Sequence, residues 1–318
     1  MKNPVSSYNP DILGSDFEQM TIDQPDDYEG KVVCTLIRKK AINATPKAVL
    51  YVHGFNDYFF QKEMAEKFTG NGFDFYAIDL RKYGRSFLPH QKLNNLRDIK
   101  EYYADLDSAL EQIKNEGHAS VLLSGHSTGG LVVSVYAHDH QDSKLFHSIF
   151  LNSPFYDFNS NFFLRKLAIP IVSTLGKNNP DKIMNGGFSP LYGLSIYKGD
   201  KGEWEYQLGW KPHVAPAVNF GFIRAIHLAQ EKVKNGVNIN VPVLVMHSKV
   251  SLYEKEWSDK LFAGDSILNV KHISDNAHKI QGKVTFQAVE GGMHDLILSP
   301  KPVREKVYFD LFEWLKKF

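Results

Sequence analysis

Ser120-Val121-Leu122-Leu123-Ser124-Gly125-His126-Ser127-Thr128-Gly129-Gly130 is an apolar run that breaks into a Gly-x-Ser-x-Gly turn, and Leu131, Val132, Val135 and Tyr136 continue it at helical spacing. A strand that feeds a helix through so short a turn holds the central serine on a sharp bend, with its hydroxyl projecting beyond the strand end. Gly125 and Gly129 remove side chains where neighbouring elements approach closely. The helix that follows directs its first amides toward the serine, and these favour developing negative charge. The pattern marks Ser127 as a candidate nucleophile.

The flanking sequence supplies the rest of a sheet. Strands are predicted at Val32–Ile37, Ala48–Val52, Phe73–Ile78, Val121–Leu123, Ser148–Leu151, Val241–Met246 and Val284–Val289. Several are nearly continuous apolar runs, as expected of strands covered on both faces. Between them, Asp98–Lys114 sets Ile99, Tyr102, Tyr103, Leu106, Ala109, Leu110 and Ile113 at three- and four-residue steps, and Pro302–Phe318 reads as a terminal helix. This alternation predicts an α/β fold: a mostly parallel central sheet flanked by helices. Phe155–Asn235 breaks the rhythm. It is rich in aromatics and Gly-Pro punctuation, has a helical pattern over Ala217–Lys234, and is too long for a plain loop. The expected organisation is a core in two parts, 1–154 and 236–318, with an inserted cap at 155–235.

Composition narrows the function classes. Lysine plus arginine (37) nearly equals aspartate plus glutamate (36), so charge offers no pull toward nucleic acid or an anionic membrane. Cys34 is the single cysteine. It excludes an intramolecular disulfide and a cysteine zinc site, and its apolar surroundings make it a buried strand residue. The N-terminal MKNPVSSYNPDILGSDFEQM lacks the apolar core of a signal peptide, and no run reaches the ~18 apolar residues of a membrane span. The expectation is a soluble, cytoplasmic protein without stable membrane anchoring.

A nucleophilic serine requires a base, an acid to orient it, and donors for an oxyanion. The strand Val49–Val52 ends in His53-Gly54-Phe55, which places the Phe55 amide, with that of Thr128, as the donor pair. His53 reads as a residue that orients this loop at the border of the substrate pocket. Among thirteen histidines, His294 follows a strand and the double glycine Gly291-Gly292 and comes after the serine in chain order. His53 and His126 lie too close to the oxyanion loop and the turn to serve, and His118, His138, His140 and His213 read as surface or lining residues. The loop after Val241–Met246, His247-Ser248-Lys249-Val250-Ser251-Leu252, contains no aspartate. The acid therefore comes from Glu254, Glu256, Asp259, Asp265 or Asp275. Asp265 is preferred, ahead of a helical pattern through Ile273, Ala277 and Ile280, and Asp157 is an outside candidate.

In order along the chain, His53-Gly54, Asp79-Leu80-Arg81-Lys82-Tyr83-Gly84-Arg85-Ser86, Gly125-His126-Ser127-Thr128-Gly129-Gly130 and Gly291-Gly292-Met293-His294 resemble the α/β-hydrolase superfamily. Within it they look like the monoacylglycerol-lipase and lysophospholipase-like group, which includes serine aminopeptidase S33-type sequences. Asp265-Ser266-Ile267-Leu268 resembles that group's acid segment, although the extra stretch Leu252–Gly264 separates it from the strand. The Asp79–Ser86 loop reads as structural, a turn held by Asp79, Arg81 and Arg85. The resemblance implies cleavage of a small, lipid-like carboxylic ester by Ser127, His294 and Asp265, without a metal or an organic cofactor. Phe162, Phe163, Leu167, Ile169, Ile171 and Val172 are then expected at an apolar acyl pocket or its mouth. Three rivals share these residues: an amidase or peptidase with Glu203 and Glu205 as an amine subsite, an acyltransferase, and a catalytically silent ligand-binding protein. Epoxide hydrolase and dehalogenase chemistry requires a carboxylate where this chain has Ser127.

Overall fold

The computed structural model describes residues 7–184 and 189–318. The first six residues of the N-terminal stretch read above, and Asn185–Phe188 within the inserted segment, lie outside the described residues. In chain order the elements are β1 (Asn9–Asp11), β2 (Gly14–Asp27), β3 (Gly30–Lys39), β4 (Lys47–Val52), α1 (Lys62–Gly70), β5 (Asp74–Asp79), α2 (Glu101–Asn115), β6 (Ser120–His126), α3 (Thr128–Asp139), β7 (Ser148–Asn152), α4 (Ile169–Gly176), β8 (Ile183–Met184), α5 (Leu191–Ile196), β9 (Val218–Asn219), α6 (Phe220–Lys234), β10 (Val237–Ser248), α7 (Val270–Ala277), β11 (Ile280–Val289) and α8 (Lys301–Leu315).

Nine strands form one sheet in the order β1-β2-β3-β5-β4-β6-β7-β10-β11. From β5 to β11 all neighbours are parallel, whereas β1, β2 and β3 make an antiparallel edge. Alternate residues of each central strand feed the two faces. On one face Leu50, Leu123, Leu151 and Val245 pack with residues of α2, α3 and α6, among them Leu106, Val135 and Ile226. On the other, Val49, Leu122, Phe150 and Leu244 pack with Phe68 of α1 and Val307, Leu311 and Trp314 of α8. Two-sided burial explains why these strands read as continuous apolar runs. Cys34 is fully buried in β3, where loss of solvation pushes its thiol well above the ordinary value.

Several elements differ from expectation. The edge strands β1 and β2 were not anticipated: β2 buries only Phe17, Met20 and Gln24 among otherwise exposed or half-exposed residues, so it lacks the density of a covered strand. Ile280 opens β11 rather than extending α7. Between β7 and β10 the chain forms helices and the short antiparallel pair β8-β9, which joins no strand of the main sheet.

Close approach fixes the glycines of the turn. A Cβ on Gly129 would lie 2.3 Å from the Val52 carbonyl oxygen, and one on Gly125 would lie 2.6 Å from the Gly129 oxygen. Main chain cannot yield as a flexible side chain can. Gly129→Ala is expected to cost about 3 kcal/mol or more, the upper range of overpacking. Urea unfolding checks this, and an unchanged midpoint refutes it.

Candidate functional site

Four strand ends deliver the site. Residues after β4, β6, β10 and β11 meet at the carboxyl edge of the parallel strands, where open α/β sheets place their ligands. Ser127 lies between β6 and α3 with φ 51° and ψ −116°, outside the favoured regions for a residue with a Cβ. The turn holds this strain through three main-chain hydrogen bonds: the Ser127 amide donates to the Asn152 carbonyl (3.0 Å), and the Ser127 carbonyl accepts from Leu131 (3.1 Å) and Phe155 (2.9 Å).

His294 Nε2 lies 3.0 Å from Ser127 Oγ, and His294 Nδ1 lies 2.9 Å from Asp265 Oδ2. All three residues are buried. The other Asp265 oxygen, Oδ1, accepts from the amides of Ile267 (2.8 Å) and Leu268 (2.7 Å), which fixes the carboxylate plane. The extra stretch after β10 does not carry Asp265 away from His294. The Asp265 amide donates to the Val250 carbonyl (2.9 Å) and its carbonyl accepts from the Leu252 amide (2.7 Å). Leu252–Gly264 is thus an excursion that closes on itself, and it returns Asp265 to the strand end. Asp157 is elsewhere: it holds Arg165 (2.7 Å) and Lys234 (3.0 Å), and these cations outweigh burial to keep its carboxyl below the ordinary range.

The loop after β4 packs directly on the turn. A Cβ on Gly54 would sit 3.2 Å from Ser127 Cβ, so glycine there lets the two segments meet. Phe55 and Thr128 both border the cavity beside Ser127, and Thr128 is the first residue of α3, whose opening amides point outward from the helix. His53 does not border it, contrary to expectation. Its Nδ1 donates to the Gly54 carbonyl (2.7 Å) and its Nε2 accepts from the Leu80 amide (3.0 Å). Both ring nitrogens are therefore used beneath the loop, and burial lowers the ring's affinity for a proton. The Asp79–Ser86 loop is likewise structural: Asp79 accepts from the Phe59 and Arg85 amides, and Arg81 pairs with Asp105 at 2.6 Å.

The cavity above Ser127 measures about 380 Å³ and is largely apolar, with Phe155, Phe158, Leu164, Ile169, Val172, Phe222 and Ile223 in its wall. Phe162 and Phe163 do not line it; they are 71% and 64% exposed. The reason is helical phase. Through a π-helical turn at Leu164–Ala168 and on into α4, Leu164, Ala168, Ile169 and Val172 share the inner face, while Phe163, Leu167, Ile171 and Leu175 share the outer one. Glu203 and Glu205 also lie away from the cavity, paired with Arg304 (2.7 Å) and Lys198 (2.6 Å).

Four polar residues beside the serine were not singled out from the sequence. Asp57 is buried next to Lys211, whose Nζ lies 2.8 Å from Oδ1. Burial alone would raise the Asp57 carboxyl, but Lys211 and the neighbouring histidines hold it well below its usual range. His126 Nδ1 lies 3.7 Å from Asp57 and 3.9 Å from Asp295, too far for hydrogen bonds but close enough for charge to act. Burial disfavours protonation of that ring, yet the two carboxylates raise its pKa above the ordinary value. Tyr192 stands edge-on to His294 with ring centroids 5.7 Å apart, and its hydroxyl accepts from the Asp295 amide (3.2 Å). Asp57 and Asp295 had one sequence signal, their places in the His-Gly and Met-His segments; Lys211 and Tyr192 had none. Among the described residues no group of histidine, cysteine or carboxylate side chains is arranged to hold a metal, and no helix is long and apolar enough to cross a membrane.

Solved structures share this architecture. A soluble variant of monoglyceride lipase from Saccharomyces cerevisiae, in complex with a substrate analogue, is 20% identical with a TM-score of 0.66 over 93% of this chain and 95% of that one. Monoacylglycerol lipase from Paleococcus ferrophilus is 20% identical with a TM-score of 0.63, over 88% and 98%. Est1E from Butyrivibrio proteoclasticus, bound to ferulic acid, is 13% identical with a TM-score of 0.58, over 90% and 95%. At these identities the likeness speaks for the fold. No curated protein matches the sequence. The Hydrolase_4 family model, described as serine aminopeptidase, S33, matches residues 43–300. With that match covering well over half of its length, the chain belongs to the serine aminopeptidase, S33, family and has the α/β-hydrolase fold.

Proposed function

We propose that this chain is a serine hydrolase that cleaves carboxylic esters of lipid-like acids, with segment 155–235 serving as a cap over the acyl pocket. The observation that carries the reading is the unbroken chain Ser127 Oγ–His294 Nε2 (3.0 Å) and His294 Nδ1–Asp265 Oδ2 (2.9 Å) at the floor of an apolar cavity. Ser127 Oγ attacks the ester carbonyl carbon as His294 Nε2 takes its proton. The oxyanion falls to the amides of Phe55 and Thr128, and Asp265 holds the imidazole in the tautomer that leaves Nε2 free to accept. His294 then protonates the leaving alcohol and later deprotonates the water that releases the acyl group. The two solved structures named for glyceride lipases support an ester as substrate.

An ester is preferred to an aminoacyl amide on charge. Among the described residues lining the cavity, Asp57 alone carries a carboxylate, and Lys211 already neutralises it. No acid is left to receive a substrate amine. The test is a panel of p-nitrophenyl esters and monoacylglycerols of increasing acyl length, beside aminoacyl p-nitroanilides. Esters of medium acyl chains are expected to turn over with kcat/KM at least about 100-fold above any aminoacyl anilide; each methylene buried contributes about 0.8 kcal/mol. Preference for an anilide overturns the ester reading, and failure of the wild-type chain to react with a fluorophosphonate overturns the hydrolase reading.

A further inference from the structure

Three consecutive residues of the oxyanion loop are tied to one short stretch of the inserted segment. Asn56 Nδ2 donates to the Pro212 carbonyl (2.8 Å), Asp57 Oδ1 meets Lys211 Nζ (2.8 Å), and the Tyr58 hydroxyl accepts from the Gln207 amide (2.7 Å). The loop needs holding, because Asn56 has φ 51°, a left-handed conformation that costs energy for a residue with a Cβ. Of the three ties only the Asp57–Lys211 pair is ionic, and both partners are buried: Asp57 is 1% and Lys211 8% exposed. The Lys211 ammonium also faces the Phe60 and Tyr206 rings at 5.8 and 5.9 Å. Asp57 stands two residues after Phe55, and its second oxygen faces His126, the residue before Ser127.

We propose that Lys211 is a positioning residue for the reaction: by anchoring Asp57 it sets the register of the Phe55–Tyr58 loop against the serine turn, so that the inserted segment forms part of the oxyanion site as well as the pocket wall. This rests on the ester-hydrolase reading above and deepens it. Lys211 touches neither the serine nor the histidine; it acts through Asp57. A donor displaced by about 1 Å loses on the order of 100-fold in rate, because its worth lies in aim at the developing oxyanion rather than at ground-state substrate.

The experiment uses the full chain with active sites titrated by a fluorophosphonate, so that kcat is expressed per competent serine. Lys211→Met is expected to lower kcat about 30- to 100-fold with KM changed less than about threefold. Affinity for a trifluoromethyl ketone, which mimics the tetrahedral intermediate, should fall in parallel. Lys211→Arg, which keeps the charge, should recover at least a third of wild-type kcat. Because Lys211→Met strands a buried carboxylate and risks misfolding, Asp57→Asn with Lys211→Met provides a second arm. That pair removes both charges, and it should fold yet keep a kcat at least about tenfold below wild type. Lys211→Met with kcat per titrated site within threefold of wild type, an effect on KM alone, or a double variant with full kcat would each overturn the positioning role while leaving the hydrolase reading intact. A wild-type chain that neither labels nor turns over esters removes the ground for both.

Discussion

Ser127→Ala is expected to lower kcat for ester hydrolysis by about 10⁵- to 10⁶-fold while leaving the fold unchanged. The magnitude follows from what the hydroxyl does. On the proposed mechanism no acyl-enzyme forms without Oγ, and the amides of Phe55 and Thr128 would act only on direct attack by water. The structural silence of the change follows from the turn. The strained φ of 51° is imposed by main-chain hydrogen bonds to Asn152, Leu131 and Phe155, none of which uses the side chain. Alanine carries the same Cβ and the same strain, and among the described residues the side-chain bond lost is that to His294. Thermal unfolding should therefore move by no more than about 2 °C, and near-ultraviolet circular dichroism should match wild type. The rate is measured with p-nitrophenyl butyrate over hours, and covalent capture with a fluorophosphonate at matched protein concentration. Residual turnover above about 1% of wild type would transfer the nucleophile to another group, since non-covalent assistance alone does not sustain it.

The parts of the molecule legible in the sequence are those encoded by short-range periodicity. Strand β6, the glycines of the turn and α3 are contiguous, so their geometry follows from local sterics. His294 was preferred on chain order and the double glycine before it, and it lies beside Ser127. Asp265 was preferred only within a set of carboxylates, although it does meet His294, because its place depends on a pairing that linear reading cannot see: Leu252–Gly264 closes through main-chain bonds between Asp265 and both Val250 and Leu252. The helical stretch from Leu164 through α4 fails differently. It is apolar on both faces, so its sequence does not show which stripe faces inward. Ile169 and Val172 were placed at the pocket and line it, whereas Phe162, Phe163, Leu167 and Ile171 were placed there and do not, and Leu164 does. The edge strand β2 lay below detection because Phe17, Met20 and Ile22 are its main apolar residues and Pro25 interrupts it. Lys211 and Asp57 form an ion pair across distant stretches of chain, and charge complementarity at that separation leaves no trace in spacing.

Asp265→Asn separates the acid's charge from its shape, and kcat is expected to fall about 10⁴-fold. The direction of the amide decides this. Asp265 Oδ1 accepts from the amides of Ile267 and Leu268 at 2.8 and 2.7 Å, and these donors require an oxygen there. Asparagine must turn its carbonyl toward them, because the reverse orientation would face two N–H groups with an NH₂ and cost about 1–3 kcal/mol for each unmet donor. Its NH₂ then replaces Oδ2 opposite His294 Nδ1, now 2.9 Å from a donor instead of an acceptor. Nδ1 must accept, the proton of the neutral ring moves to Nε2, and that nitrogen can no longer take the proton of Ser127. The residue remains bonded on both sides, so stability should change by less than about 1 kcal/mol, whereas Asp265→Ala, which abandons both amides, should destabilise the fold measurably. Comparing the two variants by urea unfolding and by kcat isolates the tautomer effect: a silent fold with a lost rate is the expected signature of asparagine. A near-normal rate would mean that the imidazole is oriented by another carboxylate. Asp157 is poorly placed for that task, since Arg165 and Lys234 already occupy both of its oxygens.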